Sequence, residues 1–348
     1  MYLVRVFING FGNIGRRLAS ALAADKEFQF VGISKYTPDE RMKEALEQSL
    51  NVFVPDDKVV AFKNYNIAGT VREAIQQSDI VVDAAKDGLG YDNKVNYYVP
   101  MSKPAIFQGG EERYGERSVA DMIHNSRVNY EKSFDKKYVI QGSCNVTGLG
   151  KMMQPLIEKY GDAIKRFDAT LIRRWADLED KKEVKDSIEW DSNPHHQDDV
   201  ADFIKRPPLY VDVYKVPSRM MHLHQLYVRF NDGSSPSKDQ ILDLFANEFG
   251  VVILYNAKGT ANVRKKAAEL GFPYSDTNMV HIHAEALKVQ VDTLKIVYSD
   301  DQTGMVIPEN HMLLQAMAFK RKRAEALERT DRLFNMSKKK KALMEEFR

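Results

Sequence analysis

The chain has 348 residues, 43% of them hydrophobic and 29% charged, with a formal net charge of +2 and a single cysteine. That length corresponds to about two domains, and the composition is that of a folded globular protein rather than a disordered or disulfide-stapled one. Near-neutral charge argues against nucleic acid or an anionic membrane as the main partner, and no apolar run approaches the ~20 residues of a membrane span, so a cytoplasmic α/β protein is expected.

In chain order, strand-forming runs are expected at 2–8, 28–33, 58–62, 79–84, 104–107 and 138–141. Between several of them the apolar residues keep helical spacing, as in Ile14, Leu18, Ala21 and Leu22. Parallel strands need crossovers of a dozen or more residues, so this rhythm predicts a doubly wound parallel sheet. From Phe167 onward the pattern changes to longer alternating strands at 167–172, 209–216, 221–230 and 292–299, with a shorter run at 251–255. Alternation means one wet face and one packed face, the habit of an antiparallel or mixed sheet. Ser237-Lys238-Asp239-Gln240 has capping-box spacing and starts a helix that Gly250 ends. Pro308 stands in a helix-start position, and the stretch 320–348 holds eleven Lys or Arg against five Asp or Glu. A solvated helical tail is the simpler use of that charge, and a polyanion-binding arm the alternative.

Asn9-Gly10-Phe11-Gly12-Asn13-Ile14-Gly15 follows a strand and opens a helix, the context that turns three glycines into a dinucleotide fingerprint. Gly10 would permit the tight turn, Gly12 would admit a pyrophosphate to backbone N–H groups, and Gly15 would let the helix pack closely. The second strand ends in Ser34-Lys35-Tyr36-Thr37, with no carboxylate for a free ribose hydroxyl, so Lys35 favours NADP, with NAD tolerated. Cys144 lies between a strand and a helical pattern, with small Gly142 and Ser143 before it. A helix N-terminus lowers a thiol's pKa, so a nucleophile in its thiolate form is expected there. Six of the eight histidines come in pairs: His195-His196, His222-Leu223-His224 and His281-Ile282-His283. On a strand the i, i+2 spacing puts both rings on one face. A metal site is set aside, because no acid or second thiol lies at ligand spacing nearby, and a general base beside the thiol is the better use of one of them.

Six motifs in order resemble archaeal-type glyceraldehyde-3-phosphate dehydrogenase: the glycine turn above, Ile106-Phe107-Gln108-Gly109-Gly110-Glu111, Ser143-Cys144-Asn145-Val146-Thr147-Gly148-Leu149, Arg173-Arg174-Trp175-Ala176-Asp177, Met221-His222-Leu223-His224 and Ile307-Pro308-Glu309-Asn310. The resemblance runs to about residue 320. It implies a Rossmann domain over 1–142, a catalytic α+β domain with a mixed, largely antiparallel sheet over 143–305, and a C-terminal helix over 306–348 that returns to the nucleotide domain and carries the basic tail. It also implies a homotetramer that oxidises and phosphorylates glyceraldehyde 3-phosphate to 1,3-bisphosphoglycerate with NADP or NAD, using inorganic phosphate. Carried over by position, Cys144 is the nucleophile, and His222 is the base, with His224 in reserve; related semialdehyde dehydrogenases place their histidine seven residues beyond the start of a segment like Lys215-Val216-Pro217.

Ser143, Asn145, Thr147, Arg173, His195 and His196 are the implied substrate and phosphate ligands; Asn13, Ile14, Gly110, Arg174 and Gln302 join the glycines and Lys35 around the cofactor. Three departures stand out. Val146 replaces a threonine, Leu178 follows Asp177 where the family has proline, and Pro194-His195-His196-Gln197-Asp198-Asp199 is one residue short of the family's segment, with Asp198 repelling a phosphate if it faces the site. A related semialdehyde or acyl-phosphate reductase shares this plan. So does a non-catalytic NADP-binding redox sensor.

Overall fold

The computed structural model describes residues 3–231, 233 and 235–348; Tyr2, at the head of the first expected strand, lies outside the described residues. The chain separates into two units, Met1–Ser143 with Glu309–Phe334, and Cys144–Pro308 with Asn335–Arg348.

In the first unit the strands are β1 (Val4–Asn9), β2 (Phe28–Ser34), β3 (Val52–Val54), β4 (Gly69–Thr70), β5 (Ile80–Asp83), β6 (Ala105–Gln108), β7 (Met122–His124) and β8 (Tyr138–Gln141). They form one parallel sheet in the order β4-β3-β2-β1-β5-β6-β8-β7. The winding runs outward from β1 to β4 and resumes on its other side at β5, so the carboxyl ends of β1 and β5 flank the switch point where such sheets bind ligands. Phe7 and Ile8 are fully buried although they point to opposite faces, as expected of a central parallel strand. Helices α1 (Asn13–Ala24), α2 (Glu40–Glu47), α3 (Val71–Gln77) and the short α4 (Gly90–Asn93) belong to this unit.

One expected strand is wrong. Residues 58–62 lie in a 3₁₀ helix, Asp56–Phe62, with Val60 79% exposed and Phe62 buried. Pro55 leads into it and two aspartates occupy its first turn, so local helix-start chemistry outweighs the β-branched residues.

The second unit opens with α5 (Cys144–Tyr160) and continues with β9 (Ile164–Arg174), β10 (Glu189–Asp191), α6 (His196–Ala201), β11 (Leu209–Val216), β12 (His222–Phe230), α7 (Lys238–Ala246), β13 (Val251–Leu254), α8 (Thr260–Glu269), β14 (Val280–His283), β15 (Lys288–Gln290) and β16 (Thr293–Asp300). Its sheet runs β10-β11-β9-β12-β16-β14-β13, with β15 on β16. The β9–β11 and β13–β14 pairs are parallel and the others antiparallel, a mixed sheet. β12 alternates strictly, burying His222, His224, Leu226, Val228 and Phe230. Both capping-box bonds between Ser237 and Gln240 are made at the start of α7.

The C-terminal helices are α9 (Val306–Phe319), α10 (Arg323–Phe334) and α11 (Met336–Glu346). Glu309–Phe334 belongs to the first unit, where His311 bridges Asp25 and Thr330 and where Met312, Ala316 and Ala326 pack on Tyr130. Asn335–Arg348 belongs to the second, where Lys339 donates to the carbonyl of Asp276 and Lys340 to that of Ala246. Half of the lysine run is therefore tied into the fold rather than solvated. No helix among the described residues is long and apolar enough to cross a membrane.

Candidate active site

At the carboxyl end of β1, Gly10 has φ of 129°, and a Cβ there would lie 2.2 Å from the Ala84 carbonyl oxygen. A Cβ on Gly15 would lie 2.3 Å from the carbonyl oxygen of Gly10, so α1 rests directly on the turn. Gly12 is the N-cap of α1, with no side-chain cap and no acidic residue in the first turn, and its open side meets only Arg41 Nη1 at 3.9 Å. Asn13 and Ile14 begin the helix, and Arg41 donates to Asn13 Oδ1 at 2.7 Å. A helix N-terminus without a side-chain cap, beside a guanidinium and on a surface kept bare by glycine, fits the pyrophosphate of a dinucleotide. Gly110 is exposed just past β6, at the same carboxyl edge of the sheet. Gly109 lies against the Ser143 backbone, where a Cβ would come within 2.2 Å of the Ser143 nitrogen.

The end of β2 differs from expectation. Lys35 is buried, and its Nζ donates to Asp39 Oδ1 at 2.6 Å. Thr37 Oγ1 donates to the other oxygen at 2.9 Å, and Asp39 also caps α2 through the Met42 N–H. Burial raises Asp39's pKa, but the bonds from Lys35 and Thr37 outweigh it and hold the carboxyl below its usual range. A carboxylate therefore does stand beside Lys35. It lies four residues further along, returned by the turn into α2.

In the second unit, Cys144 begins α5 and is partly buried. Its Sγ, a ring nitrogen of His222 and a carboxylate oxygen of Asp300 all lie within 4.8 Å of one another. The β12–β16 ladder explains the cluster: His222 pairs with Asp300 and His224 with Tyr298, placing four side chains on one face. Gly148 of α5 faces them, with Asp300 Oδ2 and Tyr298 Cε2 each 3.5 Å from where its Cβ would be.

Two ring nitrogens of the pair have hydrogen-bond partners, and His224 Nδ1 is buried without one among the described residues. His222 Nδ1 accepts the Arg174 backbone N–H at 3.0 Å, which leaves the ring hydrogen on Nε2. His224 Nε2 meets Asp300 Oδ2 at 3.1 Å. Burial, and then the Arg174 charge, push His222 well below its ordinary pKa, so the ring is neutral. For Cys144, burial and then the Asp300 charge push the thiol up from 9.0 to about 12, against the opposing pull of Arg174 and Arg173. The expected thiolate is thus a thiol in this state, because burial beside a carboxylate outweighs the helix end. Cysteine, histidine and aspartate are also zinc's ligand types, so an acid does lie beside the thiol where none was expected, but His222 Nδ1 is already occupied by the Arg174 N–H.

The remaining site candidates surround this cluster. Asn145 Nδ2 donates to His196 Nε2 at 3.0 Å, which puts the ring hydrogen of His196 on Nδ1, a buried nitrogen with no partner among the described residues. Burial, then the charges of His195 and Arg173, push His196 down to about 2. His195 stacks on it with ring centroids 4.3 Å apart, donates to Asp199 Oδ2 at 2.7 Å, and has a raised pKa chiefly from that bond. Asp198 is exposed, and the carboxylate that engages the histidines is Asp199.

Arg173 makes no ion pair among the described residues, yet its charge is felt by Cys144, His196 and His222. Arg174 instead donates to Asp177 Oδ1, which also accepts from Gln302 at 3.2 Å and Thr303 at 3.1 Å. Thr147 is fully buried within α5. His281 and His283 lie away from the cluster, bonded to Ser299 and Thr277.

Asp300, Tyr298 and Asp39 have no role in the sequence reading. Asp300 was within reach of it: Leu294, Ile296, Tyr298 and Asp300 alternate along β16, and a carboxylate that closes an apolar stripe calls for a partner.

No protein-family model matches the chain. It is 32% identical over 346 residues to a glyceraldehyde-3-phosphate dehydrogenase of Pyrobaculum islandicum, covering 96% of this chain and 98% of that one. To that of Picrophilus torridus it is 32% identical over 346 residues, with the same coverage. To that of Thermoplasma volcanium it is 31% identical over 348 residues, covering 97% and 99%. The chain belongs to the glyceraldehyde-3-phosphate dehydrogenase family and is an oxidoreductase enzyme.

Proposed function

We propose that this enzyme oxidises glyceraldehyde 3-phosphate to 1,3-bisphosphoglycerate, in glycolysis or gluconeogenesis, through a thiohemiacetal and then a thioester on Cys144, the thioester being cleaved by inorganic phosphate. A cytoplasmic homotetramer is the expected setting. The observation that carries the proposal is the thiol of Cys144 at the start of α5, beside a neutral imidazole and a buried carboxylate, in a chain similar along nearly its whole length to enzymes of that name.

The family's nicotinamide cofactor, when bound, supplies the hydride acceptor. In the first unit Gly10, Gly12, Asn13, Ile14 and Gly15 would hold its pyrophosphate, with Lys35 at the adenosine ribose and Gly110 along the sheet edge. Arg174 and Gln302 are further cofactor candidates, oriented by Asp177. Lys35 and the Arg41 guanidinium favour NADP, while Asp39 offers a free ribose hydroxyl an acceptor. We therefore propose NADP as the preferred cofactor, with NAD also used.

Cys144 attacks the aldehyde carbon, and His222, with His224 in reserve, handles the thiol proton and meets the charge that develops on oxygen. Ser143 and Asn145 flank the nucleophile. A site for a phosphorylated aldehyde and free phosphate must bind two anions. Arg173 is a cation without an ion pair among the described residues, His195 is the histidine with the higher proton affinity, and His196 offers a neutral donor. Thr147 completes the set. The test is cofactor reduction with glyceraldehyde 3-phosphate, NADP and phosphate, each omitted in turn. Turnover requires all three, and reduction at full rate without phosphate would contradict the proposal.

A further inference from the structure

We propose that Lys215 is a specificity-determining residue for the reaction: together with Arg173 it binds the phosphate ester of glyceraldehyde 3-phosphate. This rests on the oxidation proposed above and assigns a place to one of its two anions.

Cross-strand register carries the inference, because directly paired residues share a face of the sheet. Asp300 pairs with His222, and His224 pairs with Leu171, so His222 and Arg173, each two residues on, face the same way. Arg173 pairs in turn with Lys215 on β11, and Lys215 with Glu189 on β10. Alternation agrees. Phe167, Ala169 and Leu171 of β9 and Leu209 and Val213 of β11 are buried on that face, and Arg173 and Lys215 continue the two series to the strand ends. One row therefore leads from Asp300 through His222 to Arg173 and Lys215, on the side of the sheet that faces Cys144.

Lys215 is half-buried and makes no hydrogen bond or ion pair among the described residues. Its ammonium lies 4.2 Å from the centroid of the buried Trp175 ring, an attraction that orients the flexible stem. Lys185 approaches the same ring at 5.7 Å and engages Glu189 at 3.8 Å. Burial and then the Lys182 charge hold the Lys215 pKa below the ordinary lysine value; Arg173 and Lys185 add to this, and Glu189 opposes it. Cations gathered against their mutual repulsion are relieved by an anion, and a phosphate suits a planar guanidinium beside an ammonium.

Of the two anions, the row selects the tethered one. The phosphate that cleaves the thioester must touch the acyl carbon on Cys144, beside His222. The phosphate ester is held away from that carbon by two carbons and an oxygen. Neighbouring strands stand about 4.8 Å apart, so β11 runs about 10 Å from β12, and Lys215 lies at the distal end of the row.

Lys215→Met keeps most of the side chain's length and removes its charge. With NADP, its kcat/KM for glyceraldehyde 3-phosphate should fall about thirtyfold, mainly through KM, while KM for inorganic phosphate and kcat/KM for unphosphorylated glyceraldehyde each stay within about twofold. Lys215→Arg should recover most of the loss. Calorimetry with glycerol 3-phosphate, which carries the ester but no aldehyde, reads the same site without turnover, and Kd should rise about tenfold or more in Lys215→Met. An unchanged Kd, an equal loss with glyceraldehyde, or a loss confined to KM for inorganic phosphate would each overturn the assignment. Wild-type enzyme that binds glycerol 3-phosphate through Lys215, yet does not oxidise the phosphorylated aldehyde, would instead sink the proposed reaction and leave the phosphate site standing.

Discussion

Asp300 stands directly across from His222 in the β12–β16 ladder, so the two side chains share the face on which Cys144 begins α5. The pairing explains why the thiol is not preionised. A carboxylate close to a sulfur disfavours a second negative charge, and burial adds to the effect.

The thiol's pKa is raised to about 12, so the protonated form prevails through neutral pH and the thiolate fraction grows as pH rises. In the cofactor-free enzyme the logarithm of the iodoacetamide alkylation rate should climb about one unit per pH unit from about pH 7 to about pH 10. A plateau beginning below about pH 8 would show a preformed thiolate instead.

Cofactor choice should be governed by the Lys35–Asp39 pair, at 2.6 Å. Asp39→Asn frees the ammonium and removes a charge that repels a 2′-phosphate, so kcat/KM for NADP relative to NAD should rise about tenfold, roughly 1.4 kcal/mol. Lys35→Glu should raise KM for NADP far more than KM for NAD. Equal effects on the two cofactors in steady-state kinetics would remove both residues from the choice.

Gly10→Ala forces a side chain into backbone at φ of 129° and to 2.2 Å from the Ala84 carbonyl oxygen. A loss of about 2 kcal/mol or more is expected, read as a lower midpoint in thermal or urea unfolding together with weakened dinucleotide binding. An unchanged midpoint would mean that the β1–α1 turn can adopt another path.

Asp199 raises the proton affinity of His195 chiefly through its hydrogen bond, so the imidazolium is present below the raised pKa and is lost as pH climbs through it. KM for phosphate should therefore increase with pH across the neutral range. In Asp199→Asn the increase should begin at lower pH, and identical profiles for the two proteins would exclude His195 from the phosphate site.

Much of the architecture was legible in the sequence because it rests on local pattern. The capping box at Ser237, the alternation of β12 and the strand–glycine–helix order around Gly10 each follow from neighbouring residues. The family resemblance, drawn from six short motifs, agrees with relatives aligned over almost the entire chain. What could not be read depends on register and on turns that bring distant residues together. Asp300 meets His222 only because two strands 78 positions apart pair in one register. Asp39 reaches Lys35 through the turn into α2, and a search confined to the end of β2 misses it. The tautomer of His222 is fixed by a backbone N–H, which no side-chain motif announces.

The covalent intermediate tests the central claim most directly. Enzyme mixed with glyceraldehyde 3-phosphate and NADP, with phosphate withheld, should be quenched and digested for mass spectrometry. An acyl adduct on the Cys144 peptide is expected, discharged when phosphate is added and absent from Cys144→Ser, which should also be inactive. Turnover that proceeds in Cys144→Ser, or an acyl group carried on another residue, would contradict the account.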